Sequence, residues 1–172
     1  MTTRNYYLLT IWEMDLQKIL RWRSHEHFKE MVIQEEVCDT GRPHYQGGIK
    51  FTERVPFSKL RTFAQQILPS QCSVNCKEVF DDGSFSCYSR CVNYCSGSSG
   101  NGLMKCANLE HRYRITKNEI IKLETKPEGI KQWMKWHPVK RPEEFIKDDK
   151  KNLMEHLKAN IQLCQRHILN FD

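Results

Sequence analysis

The chain contains no apolar run that approaches the roughly 18 residues needed to span a membrane. Its opening, Met1 to Thr10, lacks the basic flank and long apolar stretch of a secretory leader. Internal repeats and a G-x-x-x-x-G-K-[ST] phosphate-binding loop are also absent. Cysteine accounts for 8 of 172 residues, below the density that marks a disulfide scaffold. These absences predict an intracellular, unsecreted protein with reduced thiols and no membrane partner.

Positive charge and an ordinary hydrophobic content are present instead. A net charge of +6 favours an anionic partner, which could be DNA, RNA or an acidic protein. Hydrophobic residues make up 39% of the chain, enough for one domain with its own core and a short appendage. Helix-breaking residues at Lys126–Gly129 and His137–Pro142 place a domain edge near residue 125. We therefore expect a domain over residues 1–125 and a helical extension over 126–172.

The pattern of apolar residues predicts alternating strands and helices. Strands are expected at Asn5–Trp12, Val32–Val37, Pro43–Phe51, Ser73–Phe80 and Arg112–Ile121. Helices are expected at Met14–Met31 with a break near Ser24, at Pro56–Leu68, at Phe85–Cys95, and along the apolar stripe of Pro142–Phe171. The segment Ser96–Gly102 is rich in glycine and serine and should end the third helix. This order predicts an α+β fold, with a central antiparallel sheet, flanking helices and a C-terminal helical tail.

Chemistry-bearing residues are concentrated in the predicted hairpin around Thr40. Strand alternation places His44 and Gln46 on the same face. A turn centred on Thr40 puts Glu36 opposite His44, whereas a register shifted by one residue puts Glu35 opposite Gln46. A carboxylate, an imidazole and an amide oxygen form a hard ligand set with open positions, which suits Mg²⁺ or Mn²⁺ shared with a phosphate. A simple hydrogen-bonded pair in a half-exposed sheet is the alternative for His44 and Gln46.

The stretch from Glu36 to Phe51 contains a glutamate, a short turn with glycine, and then Pro-His-Tyr-Gln-Gly. This pattern resembles motif II of the replication-initiator (Rep) proteins of small circular single-stranded DNA viruses of the circovirus and nanovirus type, in the HUH endonuclease superfamily. The resemblance covers roughly residues 5 to 100. It implies a ferredoxin- or RRM-like HUH endonuclease fold, with Glu36, His44 and Gln46 holding the metal ion. Leu8–Trp12 occupies the place of motif I without its asparagine.

The resemblance also implies a nucleophilic tyrosine on the helix after the fourth strand. Tyr94, followed by Cys95, fits that place, and it would leave a 5′-phosphotyrosine and a free 3′-hydroxyl. Tyr88 is the rival, but it lies about 240° further round a helix, so both cannot face one metal site. Gly97 stands where the family has lysine, and Arg90, one turn before Tyr94, is a candidate for the missing cation. A buried structural role for Tyr94 is the alternative.

The implied function is metal-dependent nicking and joining of single-stranded DNA at an origin stem-loop, which starts rolling-circle replication. Arg42, Lys50, Arg54 and Arg90 are candidates for DNA contacts. A separate helicase or host replication proteins are implied partners, and the host nucleus is the implied location. The apolar stripe of the tail could dock on the domain, bind a partner helix or join two copies into a homo-oligomer.

Two further functions compete with the nicking enzyme. A catalytically impaired relative would keep the fold and the basic surface but only bind DNA, and Gly97 favours it. A zinc-bound interaction module would use the cysteines spaced four apart, although the tight C-x₂-C knuckle is absent. Those cysteines are Cys72, Cys76, Cys87, Cys91 and Cys95.

Overall fold

A computed structural model describes residues 3–75, 87–97 and 100–137. Within these residues the chain forms a six-stranded antiparallel sheet in the order β4-β1-β3-β2-β5-β6. The strands are β1 (Thr3–Ile11), β2 (Phe28–Val37), β3 (Pro43–Pro56), β4 (Cys72–Asn75), β5 (Arg112–Thr116) and β6 (Ile120–Lys122). The helices are α1 (Leu16–Ile19), a 3₁₀ helix (Leu20–Ser24), α2 (Phe57–Ile67), α3 (Tyr88–Cys95), α4 (Gly100–Lys105) and α5 (Pro127–Trp136). The α+β class and the antiparallel sheet confirm the prediction.

The predicted helix over Met14–Met31 is wrong beyond Ser24. Asp15 caps α1 by accepting the backbone N–H of Gln17 at 3.0 Å, and the helix tightens into the 3₁₀ turn before ending. Phe28 then begins β2 and pairs with β3. The pattern misled because the apolar residues on both sides of the break bury into one cluster, so their spacing of three and four suited either structure.

Three smaller differences separate the predicted elements from the observed ones. The single strand predicted over Arg112–Ile121 is a hairpin of β5 and β6. Helix α4 begins within the segment that was expected only to stop α3 and continues to Lys105. The strand predicted at Ser73–Phe80 is present as β4 up to Asn75, and its remainder lies outside the described residues.

The sheet buries different residues on its two faces because side chains alternate along each strand. One face, called the α2 face, packs under α2 and the 3₁₀ helix and includes Leu9, Ile11, Trp22, Met31, Ile33, Tyr45, Ile49, Phe51, Leu60, Ala64 and Cys72. The other, called the α3 face, packs under α3 and includes Tyr6, Leu8, Val32, Tyr88, Cys91, Tyr94 and Cys95. The polar residues of the predicted site belong to this second face.

Residue contacts divide the chain into two compact units, Met1–Glu124 and Thr125–Asp172. The sheet and α1 to α4 belong to the first unit, and α5 belongs to the second. The predicted tail helix over Pro142–Phe171 lies outside the described residues. None of the helices in the described part of the chain is long and apolar enough to cross a membrane.

Candidate metal and tyrosine site

The register of β2 and β3 sets the positions of the predicted ligands. In the turn between the strands, the N–H of Cys38 donates to the carbonyl of Arg42 at 3.1 Å, and Gly41 takes a φ of +84° that favours glycine. Glu36 therefore lies opposite His44, the first of the two registers expected. The next pair on the same face is Gln34 and Gln46. Two consecutive cross-strand pairs thus place four polar side chains side by side.

Glu35 belongs to the opposite face of the sheet. It pairs with Tyr45, not with Gln46, so the shifted register is wrong. Its carboxylate lies 2.8 Å from Nδ1 of His111. Glu36 is consequently the glutamate that shares a face with His44.

Glu36 and His44 form a nearly buried pair. They are 7% and 8% exposed, and Oε2 of Glu36 lies 3.6 Å from Nε2 of His44. The other oxygen of Glu36, Oε1, accepts two hydrogen bonds, from Tyr94 and Gln34. The His44 ring lies against Trp12 with centroids 4.9 Å apart. One oxygen of the Glu36 carboxylate thus accepts hydrogen bonds, and the other faces the His44 imidazole.

Two of the predicted ligands, Glu36 and His44, are spaced to fit one hard divalent ion. The 3.6 Å gap between Glu36 and His44 is shorter than twice a ligand bond of about 2.1 Å, so one ion can contact both atoms. Oε1 of Gln46 accepts one hydrogen bond, from Thr10 at 2.9 Å, and keeps a second lone pair. Within the described residues, no three His, Cys, Asp or Glu side chains are grouped to hold a metal ion. The predicted site therefore depends on the Gln46 amide as its third ligand.

Tyr94 reaches this cluster from α3. Its side chain is 1% exposed, and its hydroxyl donates to Oε1 of Glu36 at 2.6 Å. Burial raises the pKa of Tyr94 far above the ordinary tyrosine value, and the charge and hydrogen bond of Glu36 raise it further. The hydroxyl consequently keeps its proton through the neutral range, and its hydrogen bond fixes its position next to the carboxylate.

Glycines bring α3 and α4 close to the sheet and to each other. A Cβ at Gly48 would lie 2.8 Å from the Cys91 sulfur, so glycine is needed for α3 to pack on β3. A Cβ at Gly102 would lie 2.2 Å from the carbonyl oxygen of Tyr94 and 2.8 Å from its ring. Gly97 has a φ of +80° just after α3 ends. The position where the family has lysine is thus a left-handed helix terminus, which explains the glycine.

Gln34 is the main residue that the sequence analysis missed. It is fully buried, and its Nε2 donates to Oε1 of Glu36 at 2.9 Å and to the carbonyl of Gly102 at 2.8 Å. Thr10, the donor to Gln46, was missed as well. Strand alternation places Gln34, two residues before Glu36, on the same face. Thr10 could have been found from the pairing of β1 with β3, which puts it opposite Gln46.

Tyr88 lies elsewhere on the α3 face. Its ring packs edge-on against Tyr6 at 6.1 Å, and Lys50 Nζ lies 5.5 Å from its ring centroid. Burial raises the pKa of Tyr88 well above the ordinary value, with Glu30 adding to the shift. Within the described residues its hydroxyl has no hydrogen-bond partner. The structure therefore brings Tyr94, and not Tyr88, to Glu36.

The predicted DNA-contacting cations lie in the turn before β3, on β3 and on α3. The guanidinium of Arg42 lies 4.4 Å over the Trp12 ring, next to His44. Lys50 lies further along β3 on the same face, beside Tyr88. Arg54 donates to the carbonyl of Thr3 at 2.8 Å and is exposed, as is Arg90 on α3. The Trp12 ring thus contacts both the Arg42 guanidinium and the His44 ring.

The cysteines proposed for zinc are separated by the sheet. Cys72 is buried in the α2 face, whereas Cys91 and Cys95 are buried in the α3 face. Cys87 is partly exposed, and Cys76 lies outside the described residues. A single ion therefore cannot bind Cys72 together with Cys91 and Cys95.

No family model matches the chain, and no curated protein matches it.

Proposed function

We propose that the chain is a metal-dependent endonuclease that nicks and rejoins single-stranded DNA, with Tyr94 as the nucleophile and an HUH-type fold. The observation that carries this proposal is the 2.6 Å hydrogen bond from Tyr94 to Glu36, beside His44 and Gln46 on one sheet face. A buried tyrosine packing alone would not require its hydroxyl to donate to a carboxylate whose other oxygen lies 3.6 Å from an imidazole. The Rep-like motif in the sequence supports the same function.

Glu36, His44 and Gln46 would hold Mg²⁺ or Mn²⁺, which when bound polarises the scissile phosphate. The chain itself supplies the nucleophile and the group that accepts its proton. Because burial, and then the charge and hydrogen bond of Glu36, raise the pKa of Tyr94, the attacking hydroxyl must lose its proton during the reaction. Oε1 of Glu36 already accepts that hydrogen bond and is positioned to take the proton.

The covalent step is a transesterification that conserves the number of phosphate ester bonds. The Tyr94 oxygen bonds to phosphorus, and the bond from phosphorus to the 3′ oxygen breaks. The tyrosine proton passes to Glu36, the departing 3′ oxygen gains a proton from water, and the 5′ phosphate stays on Tyr94. Joining runs the same step backwards, with a 3′-hydroxyl attacking the phosphotyrosine.

The basic residues support an anionic substrate at this face. Arg42, stacked on Trp12 beside His44, is proposed to contact the DNA backbone next to the cleaved phosphate. Lys50 lies on the same face and would extend that contact along β3. Arg90 is proposed as the cation that replaces the family lysine, since the left-handed backbone at Gly97 disfavours a side chain there. A stem-loop origin, helicase partners and a nuclear location remain part of this proposal.

A catalytically impaired DNA-binding relative is the second candidate function. Gly97 and the almost complete burial of Tyr94 favour it, because a nucleophile must reach the phosphate. The zinc-bound module has less support, since Cys72 and the α3 cysteines lie on opposite faces of the sheet.

The test is covalent capture of labelled single-stranded oligonucleotides, including origin-like stem-loops, with Mn²⁺ or Mg²⁺. We expect a metal-dependent protein adduct on a denaturing gel that Tyr94→Phe abolishes. Tyr88→Phe is the matched control, because Tyr88 is a buried tyrosine on the same helix that does not contact Glu36, and it should retain the adduct. Absence of any adduct, together with binding that weakens steeply with salt, would establish the DNA-binding relative instead.

A further inference from the structure

Gln34 joins two elements of the candidate site through one amide nitrogen. Its Nε2 donates to the carboxylate of Glu36 on β2 and to the carbonyl of Gly102 on α4. This bonding fixes the direction of the amide, because reversing it would place Oε1 against two oxygens that can only accept. Both N–H groups of the amide are therefore committed to these partners.

The other end of this amide is unsatisfied. Among the described residues, Oε1 of Gln34 is buried without a hydrogen-bond partner. A buried, unpaired amide oxygen destabilises a fold, whereas an apolar side chain of similar size would fill the space without that penalty. Packing alone thus does not explain a glutamine at this position. The two hydrogen bonds that its amide donates do explain it.

The contacts of Gln34 close a ring around the tyrosine. Gly102 accepts from Gln34, Gln34 donates to Glu36, and Glu36 accepts from the Tyr94 hydroxyl. The ring is completed by Gly102 itself, where any Cβ would collide with Tyr94. Displacement of one member consequently moves the others.

We propose that Gln34 is a positioning residue that holds Oε1 of Glu36 against the Tyr94 hydroxyl and leaves Oε2 directed to His44. This inference rests on the proposed function for its catalytic meaning. The geometric part, that Gln34 fixes the hydrogen bond between Tyr94 and Glu36, stands apart from catalysis and can be tested without DNA.

The test compares Gln34→Leu and Gln34→Glu with a control, Val32→Ala. Val32 lies two residues earlier on β2, is fully buried and packs in the α3 face cluster with Tyr94, but it makes no polar contact. A purely structural role for Gln34 predicts that all three variants lose stability and that none changes the environment of the Tyr94 hydroxyl.

The first readout is fluorine NMR of protein labelled with fluorotyrosine, in which the Tyr94 signal is identified by its loss in Tyr94→Phe. We expect Gln34→Leu to move this signal in the same direction as Glu36→Gln, and Val32→Ala to leave it in place. In Gln34→Glu the amide N–H donors are lost and a second carboxyl group lies next to Glu36, so the Tyr94 signal should also move. A Tyr94 signal at the wild-type position in both Gln34 variants would overturn the proposal. The Gln34→Glu variant keeps the test valid if Gln34→Leu fails to fold.

The second readout is the rate of adduct formation at saturating DNA. Gln34→Leu should lower it by about 10- to 100-fold, as is usual for residues that orient a metal-site ligand, with DNA affinity unchanged. An unchanged rate of adduct formation despite a displaced Tyr94 signal would overturn the claim that positioning by Gln34 contributes to catalysis. If wild-type protein forms no adduct, the proposed function fails, and the NMR comparison still decides whether Gln34 positions Glu36.

Discussion

The two faces of the sheet are made by alternate residues of the same strands but bury different chemistry. On β2, Ile33 packs into the apolar cluster of the α2 face, while its neighbour Gln34 joins the polar network of the α3 face. On β3, Tyr45 packs into the α2 face, while its neighbour His44 belongs to the polar network of the α3 face. The apolar face has the larger cluster and is expected to supply most of the stability. The α3 face accepts buried polar groups whose desolvation is offset only by their mutual hydrogen bonds.

This difference separates stability from the candidate chemistry within one sheet. Substitutions on the α2 face should change the free energy of unfolding and leave binding intact. Substitutions on the polar network should change metal or DNA binding with smaller effects on folding. Each of the following predictions tests one side of that separation.

The largest effect is expected from Ile33→Ala. Ile33 is fully buried at the centre of β2, so its truncation should lower the free energy of unfolding by about 2–5 kcal/mol. Denaturant unfolding measures this loss, and Mn²⁺ affinity measured well below the melting temperature should stay at the wild-type value. A weakened Mn²⁺ affinity in folded Ile33→Ala would show that the faces are not independent.

Next in size is the effect of Glu36→Gln on metal binding. The substitution keeps the shape of the side chain but removes the one carboxylate of the predicted ligand set. We expect Mn²⁺ affinity, measured by calorimetry without DNA, to fall by about 10- to 100-fold or more, as is typical when a metal site loses charge or orientation. Glu35→Gln is the matched control because Glu35 lies on the opposite face with His111. Equal affinities for wild type and Glu36→Gln would exclude Glu36 as a ligand.

Alkaline pH should destabilise the protein through thiols. Burial raises the pKa of Cys72 and of Cys106 from the ordinary value of 9.0 to about 12. The folded state therefore holds these protons when the unfolded chain has lost them, so this stability is complete below pH 9.0 and declines as pH rises toward 12. At about pH 10 each thiol should cost roughly 1 kcal/mol of unfolding free energy.

Denaturant titrations in reducing buffer at about pH 8 and about pH 10 measure this loss. Cys72→Ala should show a smaller difference between the two pH values, because it lacks one of the buried thiols. Wild-type stability that does not change over this range would contradict the assignment of the thiols as buried and protonated.

The smallest effect is expected for Arg42→Ala on DNA binding. Arg42 is exposed and stacks on Trp12, so its loss should leave folding nearly unchanged. If Arg42 contacts one phosphate, the slope of log affinity for single-stranded DNA against log salt concentration should decrease by about one released counterion. Arg61→Ala is the control, since Arg61 lies on α2 over Phe57. A larger effect from Arg61 would place the DNA on the α2 face.

Strand alternation and turn chemistry were sufficient to predict the hairpin at the centre of the site. Gly41 in the turn and the spacing from Glu36 to His44 left two possible registers, and the structure shows the first of them, with Glu36 opposite His44. The strand β1, a run of aromatic and β-branched residues, and the helix α2, with its helical spacing of apolar residues, were predicted within a few residues.

What the sequence could not predict depends on contacts between distant elements. Phe28 and Met31 continue a helical spacing, and only their pairing with β3 makes them part of a strand. Strand alternation places Gln34 on the face of Glu36, but its hydrogen bond to Gly102, 68 residues away, could not be predicted. The contact between Tyr94 and Glu36 likewise needs α3 to lie close to β3, which the bare Cα of Gly48 permits.

The strand β6 ends the sheet with only three residues, Ile120–Lys122, all of them exposed. A strand that short offers few backbone groups to another chain, and Lys122 adds a charge that would be buried by such pairing. Pairing of β6 with a strand of another chain is thus unfavourable. Ile120 and Ile121 are exposed, so their side chains do not oppose pairing with another strand. Only the short length of β6 and the charge of Lys122 oppose it. Extending β6 with β-branched residues should therefore turn this edge into a site of aggregation.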